Sequence, residues 1–151
     1  RNWIIHPRSE ERPPVLIARG AEVEDSLICD GCIIENGARV VRSVLSPGVY
    51  IQSGAVVEES ILFTDAIVEQ NATLQRSILD KKVIIGERSV FGGKMEHDQQ
   101  FSMAGRNAII PPGQIVEPGG VIGSFVIPSD YEQNIVKSGD FVQTRRSPNE
   151  I

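Results

Sequence analysis

Residues Ile17–Ile33 read IARGAEVEDSLICDGCI, Ile34–Tyr50 read IENGARVVRSVLSPGVY, Ile51–Ile67 read IQSGAVVEESILFTDAI, and Val68–Ile84 read VEQNATLQRSILDKKVI. Stacked on one another, these lines repeat every 17 residues. Ser26, Ser43, Ser60 and Ser77 share a column, as do Val23, Val40, Val57 and Leu74. Ile17, Ile34, Ile51, Val68 and Ile85 form another, and Ala21, Ala38, Ala55, Ala72 and Ser89 a fourth. Gly20, Gly37 and Gly54 are followed by Asn71, which also tolerates left-handed backbone angles. A repeat that keeps its columns in register over cycle after cycle is the feature any fold must satisfy first.

Each period divides at its aliphatic positions into steps of six, five and six residues, as from Ile17 to Val23, Ile28 and Ile34. An aliphatic followed four places on by a slim residue recurs in Ile34/Ala38, Ile51/Ala55, Ile28/Cys32 and Leu62/Ala66. This spacing suits a triangular coil, in which the aliphatic fills the core and the slim residue lets the chain turn a corner closely. Abundant Val and Ile with recurrent Gly, Asn and Asp disfavour helices. Hairpin signals do not come at the spacing of a sandwich. The expected fold is all-β: a left-handed parallel β-helix, a triangular prism of 17-residue coils spanning residues 15–123. The hand rests on the hexapeptide pattern, since parallel crossovers are otherwise right-handed.

Outside the repeat the chain changes character. Residues 1–14 carry charges and prolines without periodicity and read as an extended linker from an upstream domain, the first residue being Arg1. Trp3, Ile4 and Ile5 are apolar enough to dock on the prism or on that domain. Residues 93–100 form a polar loop, after which the pattern resumes at Gly105–Gly113 and Ile115–Gly123. Residues 124–151 are expected to cap the last coil, with a helical turn or two over Asp130–Val136 and a turn at Ser138–Asp140.

Composition narrows the partners. With 15 Lys and Arg against 20 Asp and Glu, a net charge of −5 disfavours nucleic acid and anionic membrane. No apolar run reaches the length of a membrane span, and no signal peptide is visible. The 151 residues suffice for one domain with a real core, and two cysteines suit a reducing cytoplasm. Two apolar stripes should line the outside: Ile33, Tyr50, Ile67 and Ile84 on one side, Leu27, Val44, Ile61 and Ile78 on another. Such stripes call for a partner subunit or domain, unless the terminal segment folds back over one of them.

Candidate chemistry is sparse. Cys29 and Cys32 form a lone C-x-x-C without further zinc ligands, so both read as structural. His97 in the polar loop is the best candidate for a general base, as in hexapeptide-repeat acyltransferases that take acetyl-CoA. The only other histidine, His6, lies in the linker, and two histidines cannot supply the three of a carbonic-anhydrase zinc site.

Several runs together resemble the C-terminal domain of the ADP-glucose pyrophosphorylase (glucose-1-phosphate adenylyltransferase) family. They are Pro13-Pro14-Val15 to Ile17, Asp25-Ser26-Leu27-Ile28, Ser43-Val44-Leu45-Ser46-Pro47-Gly48, Ile78-Leu79-Asp80-Lys81-Lys82-Val83-Ile84-Ile85-Gly86 and Gly105-Arg106-Asn107-Ala108-Ile109-Ile110. The resemblance covers most of Pro13 to Gly123. It implies a parent enzyme that makes ADP-glucose and pyrophosphate from ATP and glucose 1-phosphate, using Mg2+ on an N-terminal nucleotidyltransferase domain. It implies a non-catalytic role here in holding a tetramer together and in binding a sugar-phosphate or phosphate effector. By the family's motifs, Lys81 and Arg106 are the effector-binding residues, and Lys82, Arg76 and Arg88 could add to the field. Two alternatives are a stand-alone acyltransferase using His97, and the C-terminal domain of another sugar-phosphate nucleotidyltransferase, such as the GDP-mannose or UDP-N-acetylglucosamine makers.

Overall fold

A computed structural model describes residues 11–94 and 100–151; His6, Trp3, His97 and most of the linker and polar loop lie outside them. The chain winds as a left-handed parallel β-helix whose short strands stack into three sheets of six, seven and seven strands. The first face carries Leu16–Ile17, Ile33–Ile34, Tyr50–Ile51, Ile67–Val68, Ile84–Ile85 and Ile109–Ile110. The second runs from Glu22–Glu24 through Arg39–Val41, Val56–Glu58, Thr73–Gln75 and Val90–Gly92 to Ile115–Val116. The third runs from Leu27–Ile28 through Val44–Leu45, Ile61–Leu62, Ser77–Leu79 and Ser102–Ala104 to Val121–Ile122. Every pairing is parallel, and residues 17 apart face one another, as Ile34 faces Ile51 and Val40 faces Val57.

The sequence columns become the core. Ile34, Ile51, Val68, Ile85 and Ile110 point inward from the first face, Val40, Val57, Leu74, Phe91 and Val116 from the second, and Leu45, Leu62 and Leu79 from the third, all buried. The slim residues Cys32, Ala38, Ala55, Ala66, Ala72 and Ala108 are buried at the corners. Phe91 is the largest fully buried side chain, and the inward residue that follows it round the same coil is Ala104, the smallest of its column. This exchange of volume keeps the core near close packing without widening the prism.

The second-to-third corner takes the shortest step, five residues from Val40 to Leu45. Asp25, Arg42, Glu59 and Arg76 turn it with φ of 44 to 47°, in the left-handed region. The next residue is a serine each time, and its hydroxyl does two jobs. Ser43 Oγ donates to the Val41 carbonyl at 2.8 Å and accepts the Ser60 N–H at 3.2 Å. Ser26, Ser60 and Ser77 extend the same ladder. Backbone groups orphaned by a sharp corner are thus satisfied inside the protein, where water cannot reach them.

The step from Ser77 to its partner Ser102 is 25 residues instead of 17, so the polar loop is an insertion at this corner. Gly92 opens it, because a Cβ there would lie 2.0 Å from the Gln75 carbonyl oxygen. The coil closes again beyond it, with Ser102 Oγ accepting the Gly119 N–H at 3.1 Å.

Residues 124–151 differ from the helical expectation. Asp130–Val136 contains no α-helical turn; a 3-10 turn at Pro128–Asp130 precedes an extended Ile135–Val136, which pairs with Ile115–Val116. Phe141–Val142 likewise pairs with Val121–Ile122, so the prism gains two more strands before its end. The open edge of the last complete coil outweighs local turn propensity, since its donors need partners. Tyr131 then packs on the core end, and Asp130, buried, accepts the N–H groups of Ile127 and Arg145.

Candidate anion-binding corner

The third-to-first corner brings Lys81, Lys82 and Arg106 together. The pairing of Leu79 with Ala104 and of Ile84 with Ile109 sets Lys81 beside Arg106 and Lys82 beside Asn107 on adjacent turns. The Asn107 N–H donates to the Lys81 carbonyl at 3.0 Å, fixing that stagger. Neighbouring turns lie about 4.8 Å apart, so the cationic side chains leave one edge within reach of one polyanion. All three are exposed, and among the described residues none of them joins an ion pair with a carboxylate. Arg106 rests its guanidinium carbon 5.3 Å from the centroid of the Phe125 ring on the following turn, which steadies the cation while leaving its N–H donors outward. Arg and Lys so placed recognise phosphate oxygens, the Arg bidentately.

Arg76 and Arg88 do not join this edge. Arg76 sits at the second-to-third corner, where its Nε meets Glu59 at 2.7 Å; Arg42 reaches the other oxygen of Glu59 at 3.0 Å. The two guanidinium groups, Arg76 first, hold the Glu59 carboxyl below its ordinary value. Arg88 sits at the first-to-second corner beside Glu87, at 3.6 Å. On the second face Arg39 lies between Glu22 and Glu58. These arginines spend their charge on carboxylates; the three at the third-to-first corner do not.

Two carboxylates lie near the basic edge: Asp80 directly precedes Lys81 and accepts its backbone N–H at 2.7 Å, and Asp65 is the other. Asp65 occupies the turn before Lys82 and is engaged by Arg12, Nη1 to Oδ1 at 2.7 Å and Nη2 to Oδ2 at 3.3 Å. The sequence reading named neither Arg12 nor Asp65. The 17-residue register placed Asp65 beside Lys82 and was available beforehand; Arg12 precedes the repeat, and nothing in the sequence pairs it across 53 residues.

The cysteines are the remaining candidates among the described residues. Cys32 is buried, its thiol donating to the Ser46 carbonyl at 3.2 Å, and burial pushes its pKa up. Cys29 is free and half-buried. Among the described residues no group of His, Cys, Asp and Glu could hold a metal ion, and no helix is long and apolar enough to cross a membrane. His97 lies outside the described residues, and so does its proposed role. Both apolar stripes are outward as expected, and Leu27, Val44, Ile61, Met103 and Phe141 are exposed along the third face. A groove of about 480 Å³ crosses that face, lined by Phe63, Ile78, Met103, Val121 and Phe141. The basic edge is the ridge where the two apolar faces meet.

A prism of near-hexapeptide coils with such an edge has a recognisable class. Residues 17–111 match the family described as GlmU-like, C-terminal hexapeptide, and the chain belongs to it. It is also 42% identical over 151 aligned residues to a glucose-1-phosphate adenylyltransferase of Thermomicrobium roseum, a match that covers 93% of this chain and 35% of that protein. A glucose-1-phosphate adenylyltransferase of Pseudothermotoga lettingae is 36% identical, with 94% of this chain and 36% of that protein covered. The chain therefore spans about a third of the length of these curated relatives. Among solved structures, one from Desulfovibrio desulfuricans G20, named as an acetyltransferase, superimposes with a TM-score of 0.53 at 16% identity. It covers 85% of this chain and 27% of that one, and the likeness is one of fold.

Proposed function

We propose that this chain is the non-catalytic C-terminal region of an ADP-glucose pyrophosphorylase, where it assembles subunits and helps to bind an anionic effector. The parent enzyme would join ATP and glucose 1-phosphate into ADP-glucose and pyrophosphate in the cytoplasm, with Mg2+ and both substrates on an upstream nucleotidyltransferase domain. The observation that carries this reading is identity to glucose-1-phosphate adenylyltransferases along nearly the whole chain, at 42% and 36%. The shared fold alone would not separate this enzyme from acyltransferases.

Two features of the prism support its roles. Exposed Leu27, Val44, Ile61, Met103 and Phe141 on the third face and Leu16 and Ile33 on the first suit contacts with other subunits of a homotetramer or with the upstream domain. The unpaired cations Arg106 and Lys81, with Lys82, suit a sugar phosphate or inorganic phosphate. Assay of the full-length polypeptide with ATP and glucose 1-phosphate tests the reading. Release of pyrophosphate, modulated by sugar phosphates or phosphate through Arg106, is the expected result. Acetyl transfer from acetyl-CoA that depends on His97, without pyrophosphate release, would overturn it.

A further inference from the structure

Arg12 lies in a trench that the corner leaves open for it. Gly31 and Gly48 occupy the two turns between Pro13-Pro14 and Asp65 on the third-to-first corner, and neither has a side chain to fill the edge. A Cβ at Gly48 would lie 2.1 Å from Arg12 Nη1 and 2.2 Å from Asp65 Oδ1; one at Gly31 would press on Arg12 Cβ and Cδ at 3.3 Å. The start of the side chain is fixed too, because the Pro13 carbonyl accepts the Gly31 N–H at 2.7 Å.

Asp65 has two cations to choose between. Asp65 and Lys82 both turn the corner in the left-handed region, φ 61 and 58°, so their side chains leave the edge in the same sense on adjacent turns. The Lys82 N–H donates to the Thr64 carbonyl at 3.0 Å, which keeps those turns in register. Yet the carboxylate pairs with Arg12, 53 residues away in sequence, and no ion pair joins it to Lys82. A planar guanidinium that engages both carboxylate oxygens competes well against a mobile ammonium.

We propose that Arg12 is a positioning residue for the anion site: by holding Asp65 it keeps that carboxylate off Lys82 and leaves the Lys81–Lys82–Arg106 edge positive. This rests on reading that edge as an anion site. Without Arg12, Asp65 turns to Lys82, occupies the ammonium that a phosphate would use, and repels the incoming anion. Because Arg12 belongs to the segment that enters the prism, the placement of that segment and the affinity of the edge for phosphate are linked. The linkage is reciprocal: lifting the segment weakens phosphate binding, and phosphate binding holds the segment down.

The test is calorimetric titration of the full-length protein with inorganic phosphate at low ionic strength, with Lys81→Ala/Arg106→Ala as the reference lacking the edge. Arg12→Ala should weaken the phosphate binding that this reference lacks by about five-fold, as expected for losing one partly screened charge interaction. Arg12→Ala/Asp65→Asn should restore it, which a merely structural role for Arg12 would not allow. Asp65→Asn alone should bind at least as tightly as the unmodified protein, and this variant serves if Arg12→Ala folds poorly. Unchanged binding in Arg12→Ala, no rescue in the double variant, or weaker binding in Asp65→Asn would overturn the proposal while leaving the anion site standing. Identical phosphate binding by the reference and the unmodified protein would remove the site itself and the proposal with it.

Discussion

Two corners of the same prism use the same backbone device to opposite ends. At the second-to-third corner, left-handed residues present Arg42, Glu59 and Arg76 outward while serine hydroxyls satisfy the backbone within. Arg42 and Arg76 there both pair with Glu59. At the third-to-first corner the left-handed residues are Gly31, Gly48, Asp65, Lys82, Asn107 and Phe125, and among the described residues the cations Lys81, Lys82 and Arg106 of that edge join no ion pair with a carboxylate. The first corner is closed and serves stability; the second is open and has charge left over for something else. The sign pattern along a column, and not the count of basic residues, separates a corner whose charges are paired from one whose cations are not.

The largest effect should come from breaking the closed corner from inside. Ser60→Ala removes the acceptor for the Ser77 N–H and the donor to the Glu58 carbonyl. The cost should be about 2 kcal/mol, the penalty of orphaned buried groups, read as a lower denaturation midpoint with an unchanged m-value.

The outside of that corner should show itself in pH. Hydrogen bonds from Arg76 and then Arg42 lower the pKa of Glu59, and at the first-to-second corner the Tyr50 hydroxyl and then Ser53 lower that of Glu35. Folding therefore favours their charged forms. Their contribution to stability is complete above the ordinary glutamate value of 4.5 and is lost as pH falls through the depressed values. Urea denaturation from pH 6 downward should show stability falling over that acid range, and Glu59→Gln should flatten part of the slope. An identical slope in Glu59→Gln would deny that the Arg–Glu–Arg column is coupled to folding.

The open corner should be almost silent in stability. Lys81→Ala/Arg106→Ala should change the unfolding free energy by less than about 1 kcal/mol, the loss of one exposed cation–π contact and no ion pair. A loss of 2 kcal/mol would mean that this corner is structural after all. The smallest effect should be a gain: Arg88, exposed at φ 56°, carries the cost of a left-handed side chain. Arg88→Gly should raise stability by a few tenths of a kcal/mol, visible as a small rise in Tm.

Much of this was legible in the sequence because the repeat is one-dimensional. Once residues 17 apart are known to be neighbours, the core columns, the slim corners and the outward stripes follow without further information. The quenching of Arg76 was legible too, since Arg42, Glu59 and Arg76 are spaced 17 apart; the expectation that Arg76 would reinforce Lys81 overlooked that column. What lay beyond reach is what the period does not govern. The Arg12–Asp65 contact joins the repeat to a residue before it. The strands at Ile135–Val136 and Phe141–Val142 come from a segment whose local pattern suggests turns, and the unpaired edge of the preceding coil recruits them.

The most direct test of the account compares how turnover of the full-length protein, with ATP and glucose 1-phosphate, responds to added phosphate and sugar phosphates in Arg106→Ala and in Arg76→Ala. The two substitutions remove the same charge from different corners. The account predicts that Arg106→Ala flattens the response and Arg76→Ala preserves it. Equal responses in both variants, or loss in Arg76→Ala alone, would contradict it.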